Sequence, residues 1–342
     1  MEGVNIFELT CAELAGELNR HFGKGEYHAA GICREVFKKG RTSFGAAPEF
    51  KNSQALAKKI ATAVRLPECT IGIIQEDDSI TKFASQLADG NIIESVIIPS
   101  NGRNTLCVSS QAGCRMGCMF CKTGEMGFTR NLTAGEIVWQ VHTAIFSFSQ
   151  PIDNVVFMGM GEPLDNFNNV MQAVNVISDQ RGLDIPRSHI TISTAGHVDG
   201  IRQLAATNPG NLCLAVSVNS ADDRLRSRLM PINRKYPLAS LKKELLAYPL
   251  GKRGIIFIEY VLLACVNDSK ADADQLAAWL TGLRIRINVI SCNPGSSTAF
   301  KAPSPEHAAA FCKWLADRKL FVRRRQSRGL HIQAACGQLT TV

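Results

Sequence analysis

The stretch Gly113-Cys114-Arg115-Met116-Gly117-Cys118-Met119-Phe120-Cys121 decides how this chain folds. Its cysteines are separated by three and then by two residues, so three thiolates lie on one short loop. Such a loop can hold three irons of a [4Fe–4S] cluster, whereas ordinary cluster proteins use four cysteines. The fourth iron then stays open, and an open metal position is where a small molecule binds and reacts.

A zinc knuckle is the alternative reading of these cysteines. A compact zinc site has four ligands, usually arranged as two spaced pairs, and no second pair of cysteines follows nearby. We therefore predict an iron–sulfur cluster held by Cys114, Cys118 and Cys121.

Length and composition indicate an ordinary globular protein. The 342 residues can bury a large core, and 45% are hydrophobic while 20% are charged. The strongest apolar run, Ile255 to Val266, is interrupted by Glu259 and is too short for a membrane span. The N-terminus lacks a basic-then-apolar signal, and the scattered cysteines fit a reducing compartment. We therefore expect a cytoplasmic protein without a membrane partner.

The net charge of +8 is moderate, so its placement matters more than its size. Basic patches attract the phosphate backbone of nucleic acids, although a solvated basic face is an equally ordinary outcome. Two groups occur: Arg318, Lys319, Arg323, Arg324, Arg325 and Arg328 near the C-terminus, and Arg34, Lys38, Lys39 and Arg41 near the second predicted helix.

The predicted secondary structure changes along the chain. Two helix starts are marked by capping boxes, Thr10 with Glu13 and Thr133 with Glu136. Repeated strand–helix units after the cysteine loop imply a parallel sheet, but periodicity alone cannot separate a barrel from a doubly wound sheet. We expect four regions: N-terminal helices (1–68), a short β extension (69–108), alternating strands and helices (109–300), and a C-terminal helix with a basic tail (301–342).

Polar residues follow the predicted strands, where active groups of parallel sheets gather. Each could equally satisfy its own turn. Together they place hydroxyls, amides and a carboxylate on one rim, suited to a ribose, a purine or a carboxylate ligand. They are Gly161 and Glu162 in the run Gly159 to Pro163, then Ser193, then Ser217, Val218 and Asn219, and finally Asn293.

These motifs, taken with three more, resemble the RlmN/Cfr family of radical S-adenosylmethionine (SAM) RNA methyltransferases. The additional pieces are Leu106 to Gln111, Arg226 to Asn233, and Ala334 to Leu339. The resemblance implies an α/β fold: a partial (βα)6 radical SAM barrel with a small N-terminal helical domain and a short β extension. It implies that the [4Fe–4S] cluster binds SAM at its open iron, with the polar rim residues completing the SAM site.

The resemblance also gives roles to two further cysteines. Cys336 would take a methyl group from one SAM, and a radical made from a second SAM would activate that methyl for addition to adenine. Glu94 would then remove the ring proton. Cys107 would attack the Cys336 sulfur to release the product, which makes a disulfide bond part of the expected cycle.

Four positions depart from the family pattern: Asn219 replaces a histidine, Gln333 an aspartate, His28 an arginine and Gly31 a glutamine. The leading hypothesis remains methylation of adenine C2 in 23S rRNA, with tRNA as a further substrate. C8 methylation, another substrate for the same radical chemistry, and a non-catalytic RNA-binding protein with a structural metal are the alternatives. We expect a monomer reduced by flavodoxin or ferredoxin.

Overall fold

The computed structural model describes residues 3–293 and 300–340, which build a ten-stranded sheet flanked by helices. The α-helices are α1 (Cys11–Phe22), α2 (Glu26–Cys33), α3 (Gln54–Ala63), α4 (Lys122–Glu125), α5 (Ala134–Phe146), α6 (Phe167–Ile177), α7 (Val198–Ala206), α8 (Asp223–Leu229), α9 (Leu238–Ala247), α10 (Lys270–Leu280) and α11 (Pro305–Ala316). The strands are β1 (Val4–Asn5), β2 (Val64–Arg65), β3 (Thr70–Asp77), β4 (Ile80–Gln86), β5 (Ile92–Ser100), β6 (Arg103–Cys107), β7 (Gln111–Gly113), β8 (Phe128–Asn131), β9 (Asn154–Phe157), β10 (Ile190–Thr194), β11 (Cys213–Ser217), β12 (Ile256–Leu262), β13 (Ile285–Ser291) and β14 (Val322–Arg325).

The main sheet has the order β14-β13-β12-β11-β10-β9-β6-β5-β4-β3. Strands β6 and β9 to β14 are parallel, and β3 to β5 extend the sheet through antiparallel pairs. The predicted parallel sheet and the short antiparallel extension are therefore confirmed. The structure adds β14 as a seventh parallel strand, where sequence analysis had expected only a basic tail.

The two faces of the sheet differ in polarity. Side chains alternate along a strand, and in-register neighbours on adjacent strands point to the same side. One face carries buried apolar residues such as Ile192, Val216 and Tyr260. On the opposite face, the register brings Lys82 and Glu94 to the same side as Cys107 and as the polar residues of the central strands. We call this the polar face, and its central members are Thr191, Ser193, Ser217, Glu259 and Asn288.

Both predicted capping boxes form. The Thr10 side chain accepts from the Glu13 amide at the start of α1, and Thr133 accepts from the Glu136 amide at the start of α5. Within the described ranges, no helix combines the length and apolar content needed to cross a membrane.

The N-terminal helices contain a disulfide that sequence analysis did not predict. Cys11 and Cys33 are both buried, and their Cα atoms lie 6.2 Å apart. The bond joins the start of α1 to the end of α2.

Candidate active site

The cysteine loop is framed by the antiparallel pair β7 and β8. Gly113 ends β7 with φ +76°, and a Cβ there would lie 2.0 Å from the carbonyl oxygen of Gly127. The Cys114 amide donates to that same oxygen at 2.7 Å. Further along, the Met119 amide donates to the Leu229 carbonyl at 3.0 Å, which ties the loop to α8. The loop is thus fixed at both ends by backbone hydrogen bonds.

Of the three cysteines of this loop, Cys114 is buried and Cys118 and Cys121 are half-buried. Burial raises the pKa of Cys114 to about 12 and also raises the pKa values of Cys118 and Cys121. Among the described residues, no three His, Cys, Asp or Glu side chains are close enough to hold a single metal ion. In a cluster each cysteine binds a different iron, and the metal must displace the thiol proton as it binds.

Replacing Gly113 with alanine should damage the loop. The new Cβ would clash with backbone in a conformation that L-residues rarely adopt, so we expect the free energy of unfolding to fall by about 2 kcal/mol. Iron content after anaerobic reconstitution should fall by half or more. Gly16→Ala is the matched control, because nothing lies within 4 Å of a Cβ on that exposed helical residue. A Gly113→Ala protein with normal stability and iron content would contradict this view of the loop.

The C-terminal segment crosses the cysteine loop and carries Cys336 with it. The Lys122 amide donates to the Gly337 carbonyl at 2.9 Å, and the Thr123 hydroxyl donates to the Leu339 carbonyl at 2.8 Å. The side-chain amide of Asn293 donates to the backbone carbonyl of Cys336 at 2.8 Å. Asn293, a predicted SAM ligand, therefore also positions the cysteine predicted to accept the methyl group.

Cys336 and Cys107 lie in different surroundings. The Cys336 side chain is exposed, although protein atoms around it raise its pKa by desolvation while Arg325 opposes that rise. Cys107 ends β6 on the polar face and is only 7% exposed. Its pKa is raised to about 12, first by burial and then by the charge of Cys336. The structure thus brings together two cysteines that are 229 positions apart in the sequence.

Glu94 is buried on β5, and each of its carboxylate oxygens has a partner. Lys82 lies 2.9 Å from Oε1, and the Thr340 amide donates to Oε2 at 2.7 Å. Burial raises the pKa of this carboxyl, while Lys82 and Thr340 oppose the rise. A cavity of about 150 Å³ is lined by Lys82 and Glu94 together with residues of β3, β4 and β5. The predicted base is therefore linked to the segment that carries Cys336.

Of the predicted SAM residues after β9, Glu162 is buried and Gly161 is half-buried. Gly161 lies against Gln111, whose side-chain oxygen accepts from the Glu162 amide at 2.9 Å. The Glu162 carboxylate accepts from the backbone amides of Ala195 at 2.7 Å and Leu164 at 3.2 Å. Burial nevertheless raises the pKa of Glu162 to about 7. A cationic ligand group beside it would lower that pKa and favour the carboxylate.

The remaining predicted SAM residues lie at the ends of β10 and β11. Ser193 and Ser217 belong to the polar face, and Val218 and Asn219 follow directly. Asn219 is buried with φ +58°, and its side-chain oxygen accepts from the Val261 amide at 2.7 Å. The amide of this residue therefore holds neighbouring backbone, which the sequence did not indicate.

Three buried residues of the site escaped sequence analysis as functional candidates. Lys82 is paired with Glu94, as above. Glu259 accepts from Asn288 at 2.7 Å through Oε1, whereas its Oε2 has no hydrogen-bond partner among the described residues. Arg226 is fully buried beside the ends of β10 and β11. Its motif was noted in the sequence, but a buried arginine cannot be told from an exposed one by spacing alone.

The two basic groups differ in how they are paired. Near α2, Arg34 forms two bonds of 2.7 Å with Glu49, and Lys39 and Arg41 both contact Glu35. At the other edge of the sheet, β14 exposes Arg323, Arg324 and Arg325, and none of them has an ion-pair partner in the part of the chain described. The C-terminal group is therefore the better placed of the two for phosphate contacts.

Comparison with known proteins gives the family. A family model described as the radical SAM superfamily matches residues 108–270. The chain is 40% identical over 336 residues to a probable dual-specificity RNA methyltransferase RlmN 1 of Protochlamydia amoebophila, covering 98% of this chain and 94% of that protein. It is also 40% identical over 343 residues to the dual-specificity RNA methyltransferase RlmN of Syntrophobacter fumaroxidans, covering 99% and 98%.

A solved structure agrees with these matches. The crystal structure of a radical SAM methyltransferase from Sphaerobacter thermophilus superimposes with a TM-score of 0.91 at 37% identity, covering 99% of this chain and all of that one. The predicted radical SAM α/β fold is confirmed, as are the cluster and SAM as the cofactors of the enzyme. The chain belongs to the RlmN family of radical SAM RNA methyltransferases.

Proposed function

We propose that this enzyme methylates C2 of adenosine in 23S rRNA and in tRNA through a methyl group carried by Cys336. It acts in the cytoplasm as a monomer, with flavodoxin or ferredoxin as the electron donor. One observation carries the proposal: a single C-terminal segment contacts both the cysteine loop, through Lys122 and Gly337, and Glu94, through Thr340. The groups needed for methyl transfer, proton removal and release thus lie around one polar face.

The residues present fit the two cofactors. Cys114, Cys118 and Cys121 would hold the cluster on a loop that backbone bonds already fix. The buried Oε2 of Glu259 lacks a partner, and such an atom is costly unless a ligand donates a hydrogen bond to it. SAM offers ribose hydroxyls and an ammonium group as donors. When bound, cluster and SAM together supply the radical that activates the methyl group on Cys336.

The chain itself supplies the polar steps. With SAM bound, the Cys336 sulfur would attack the methyl carbon, so that an S–C bond forms to Cys336 as the bond to the sulfonium sulfur breaks and S-adenosylhomocysteine leaves. Glu94 accepts the proton that leaves the adenine ring, and its contact with Lys82 favours the ionised state that this role needs. The Cys107 thiolate would then bond to the Cys336 sulfur as the bond between the Cys336 sulfur and the RNA-linked carbon breaks. That carbon keeps the electron pair and takes up a proton to become the methyl group, which frees the RNA and leaves a Cys107–Cys336 disulfide.

Cys336→Ala tests the proposal. Unmodified ribosomal RNA and tRNA are incubated anaerobically with reconstituted enzyme, SAM and reductant, and the nucleosides are analysed by mass spectrometry. The wild type should yield 2-methyladenosine in both RNAs, and the variant should yield at least ~1,000-fold less. Cys312→Ala is the matched control, because Cys312 is a half-buried cysteine on α11 without a proposed role.

The other outcomes are informative. An 8-methyladenosine peak would contradict the assignment of C2 while keeping the use of Cys336. Cleavage of SAM without any methylated nucleoside would contradict RNA as the substrate. Product formation by Cys336→Ala would contradict the methyl carrier.

A further inference from the structure

Arg226 on α8 is the largest fully buried side chain among the described residues. Its guanidinium donates to the backbone carbonyls of Val218 at 3.0 Å, Ser217 at 3.0 Å and Ala195 at 2.8 Å. It also donates to the side-chain oxygen of Asn233 at 2.7 Å. These bonds hold together the ends of β10 and β11, where the proposed SAM residues lie.

The charge of Arg226 is buried without an ion-paired carboxylate in the part of the chain that the structure describes. No ion pair with Arg226 is found among the described residues, and all four acceptors are neutral. The carboxylate of the nearby Asp223 accepts hydrogen bonds from the side-chain amide of Asn233 at 2.8 Å and from the backbone amide of Leu238 at 2.9 Å. Buried charges are normally paired, because leaving water costs several kcal/mol per ion. Burial lowers the pKa of Arg226 to about 10, so the group stays charged at neutral pH.

The cysteine loop is where an anion would be placed beside this cation. Met119 on the loop is bonded to the carbonyl of Leu229, three residues after Arg226 on α8. Pro231, just beyond the helix, lies 3.9 Å from where a Cβ of Gly117 would be. These two contacts involve the residues on either side of Cys118, so this cysteine lies against the segment that carries Arg226.

We propose that Arg226 is a positioning residue whose fixed positive charge stabilises the anionic iron–sulfur cluster, and the reduced cluster most. Three thiolates give the site net negative charge, and accepting one electron from a low-potential donor adds another. A fixed cation near Cys118 therefore favours the reduced state and raises the reduction potential. This inference rests on the cluster site of the proposed function and is independent of the RNA target.

Three variants test the charge. Arg226→Gln and Arg226→Met remove it, and Arg226→Lys keeps it while losing most of the hydrogen bonds. Arg224→Gln is the control, because Arg224 is an exposed neighbour on the same helix. Each protein is reconstituted anaerobically, its iron is counted, and the midpoint potential is measured by a dithionite titration followed by electron paramagnetic resonance. Circular dichroism of the iron-free proteins checks folding.

We expect the charge-removing variants to shift the ratio of oxidised to reduced cluster about tenfold at a given potential, which lowers the midpoint by ~59 mV. Arg226→Lys and Arg224→Gln should stay near the wild type. Loss of iron from folded Gln and Met variants, with iron retained in the Lys variant, would also support the need for charge. The proposal would be overturned if a charge-removing variant bound as much iron as the wild type and had the same midpoint potential. Loss of iron from the Lys variant would also overturn it. A wild type that binds the cluster but leaves RNA unmethylated would refute only the proposed function.

Discussion

Cys107→Ala is expected to leave the enzyme covalently attached to its RNA. The proposed steps up to proton removal use Cys336 and Glu94, so they should proceed without the second sulfur. Release needs a thiol near Cys336. Cys107 at the end of β6 lies on the polar face, close enough for the charge of Cys336 to raise its pKa. Product release should fall below about 1% of the wild-type rate, while an RNA-linked protein band survives denaturing electrophoresis.

Two controls sharpen this experiment. Cys107→Ala combined with Cys336→Ala should form no adduct, because the sulfur that carries the methyl group is missing. Cys312→Ala, a change to a half-buried cysteine on α11, should turn over normally. In the wild type, raising the pH should shorten the life of any adduct, because burial raises the pKa of Cys107 to about 12 and its thiolate grows more abundant with pH. Normal turnover by Cys107→Ala would show that another group releases the product.

Local features of the fold could be predicted because each depends on residues close together in the sequence. The capping boxes at Thr10 and Thr133 need only a partner three residues later, and both form. Strand β14 was missed because its run of arginines does not alternate like a half-buried strand. As an edge strand it exposes those arginines, so the usual apolar pattern is not required.

The contacts that assemble the site are not local. Glu94 is hydrogen-bonded to Thr340, which lies 246 positions away in the sequence. Thr123 is hydrogen-bonded to Leu339, which lies 216 positions away. A periodicity describes one element at a time, so it cannot reveal which segments meet. The family resemblance gave roles to Cys336, Cys107 and Glu94. It gave none to Lys82, which pairs with Glu94, or to Arg226, although the motif Arg226 to Asn233 is part of the resemblance.

Two departures from the family pattern have a structural account. Asn219 has φ +58°, a conformation that asparagine adopts more readily than most residues, and its amide holds the Val261 backbone. At Gly31 a Cβ would lie 2.8 Å from Oε2 of Glu49, which is bonded to Arg34. The space that a longer side chain would need is therefore taken by an ion pair in the N-terminal region.

Lys82→Met should destabilise the enzyme by about 3 kcal/mol near neutral pH, because it leaves the buried Glu94 charge without its cation. Burial already raises the pKa of Glu94 above its ordinary 4.5, and losing Lys82 should raise it further. Folded protein then holds a proton that unfolded protein releases. Stability should therefore fall as the pH rises from about 4.5 toward the raised pKa, and the variant should lose less stability at pH ~5 than at pH ~8.

Urea unfolding of four proteins at both pH values measures this effect: the wild type, Lys82→Met, Glu94→Gln, and the double variant. The double variant buries a neutral pair, so it should regain much of the stability and lose the added pH dependence. Equal losses at the two pH values would mean that Lys82 acts only through packing. The same set tests the proposed base, since losing Lys82 favours the protonated form of Glu94 and should slow methylation about tenfold or more. Methylation by Lys82→Met should then recover as the pH rises and Glu94 ionises, whereas Glu94→Gln should stay inactive at every pH.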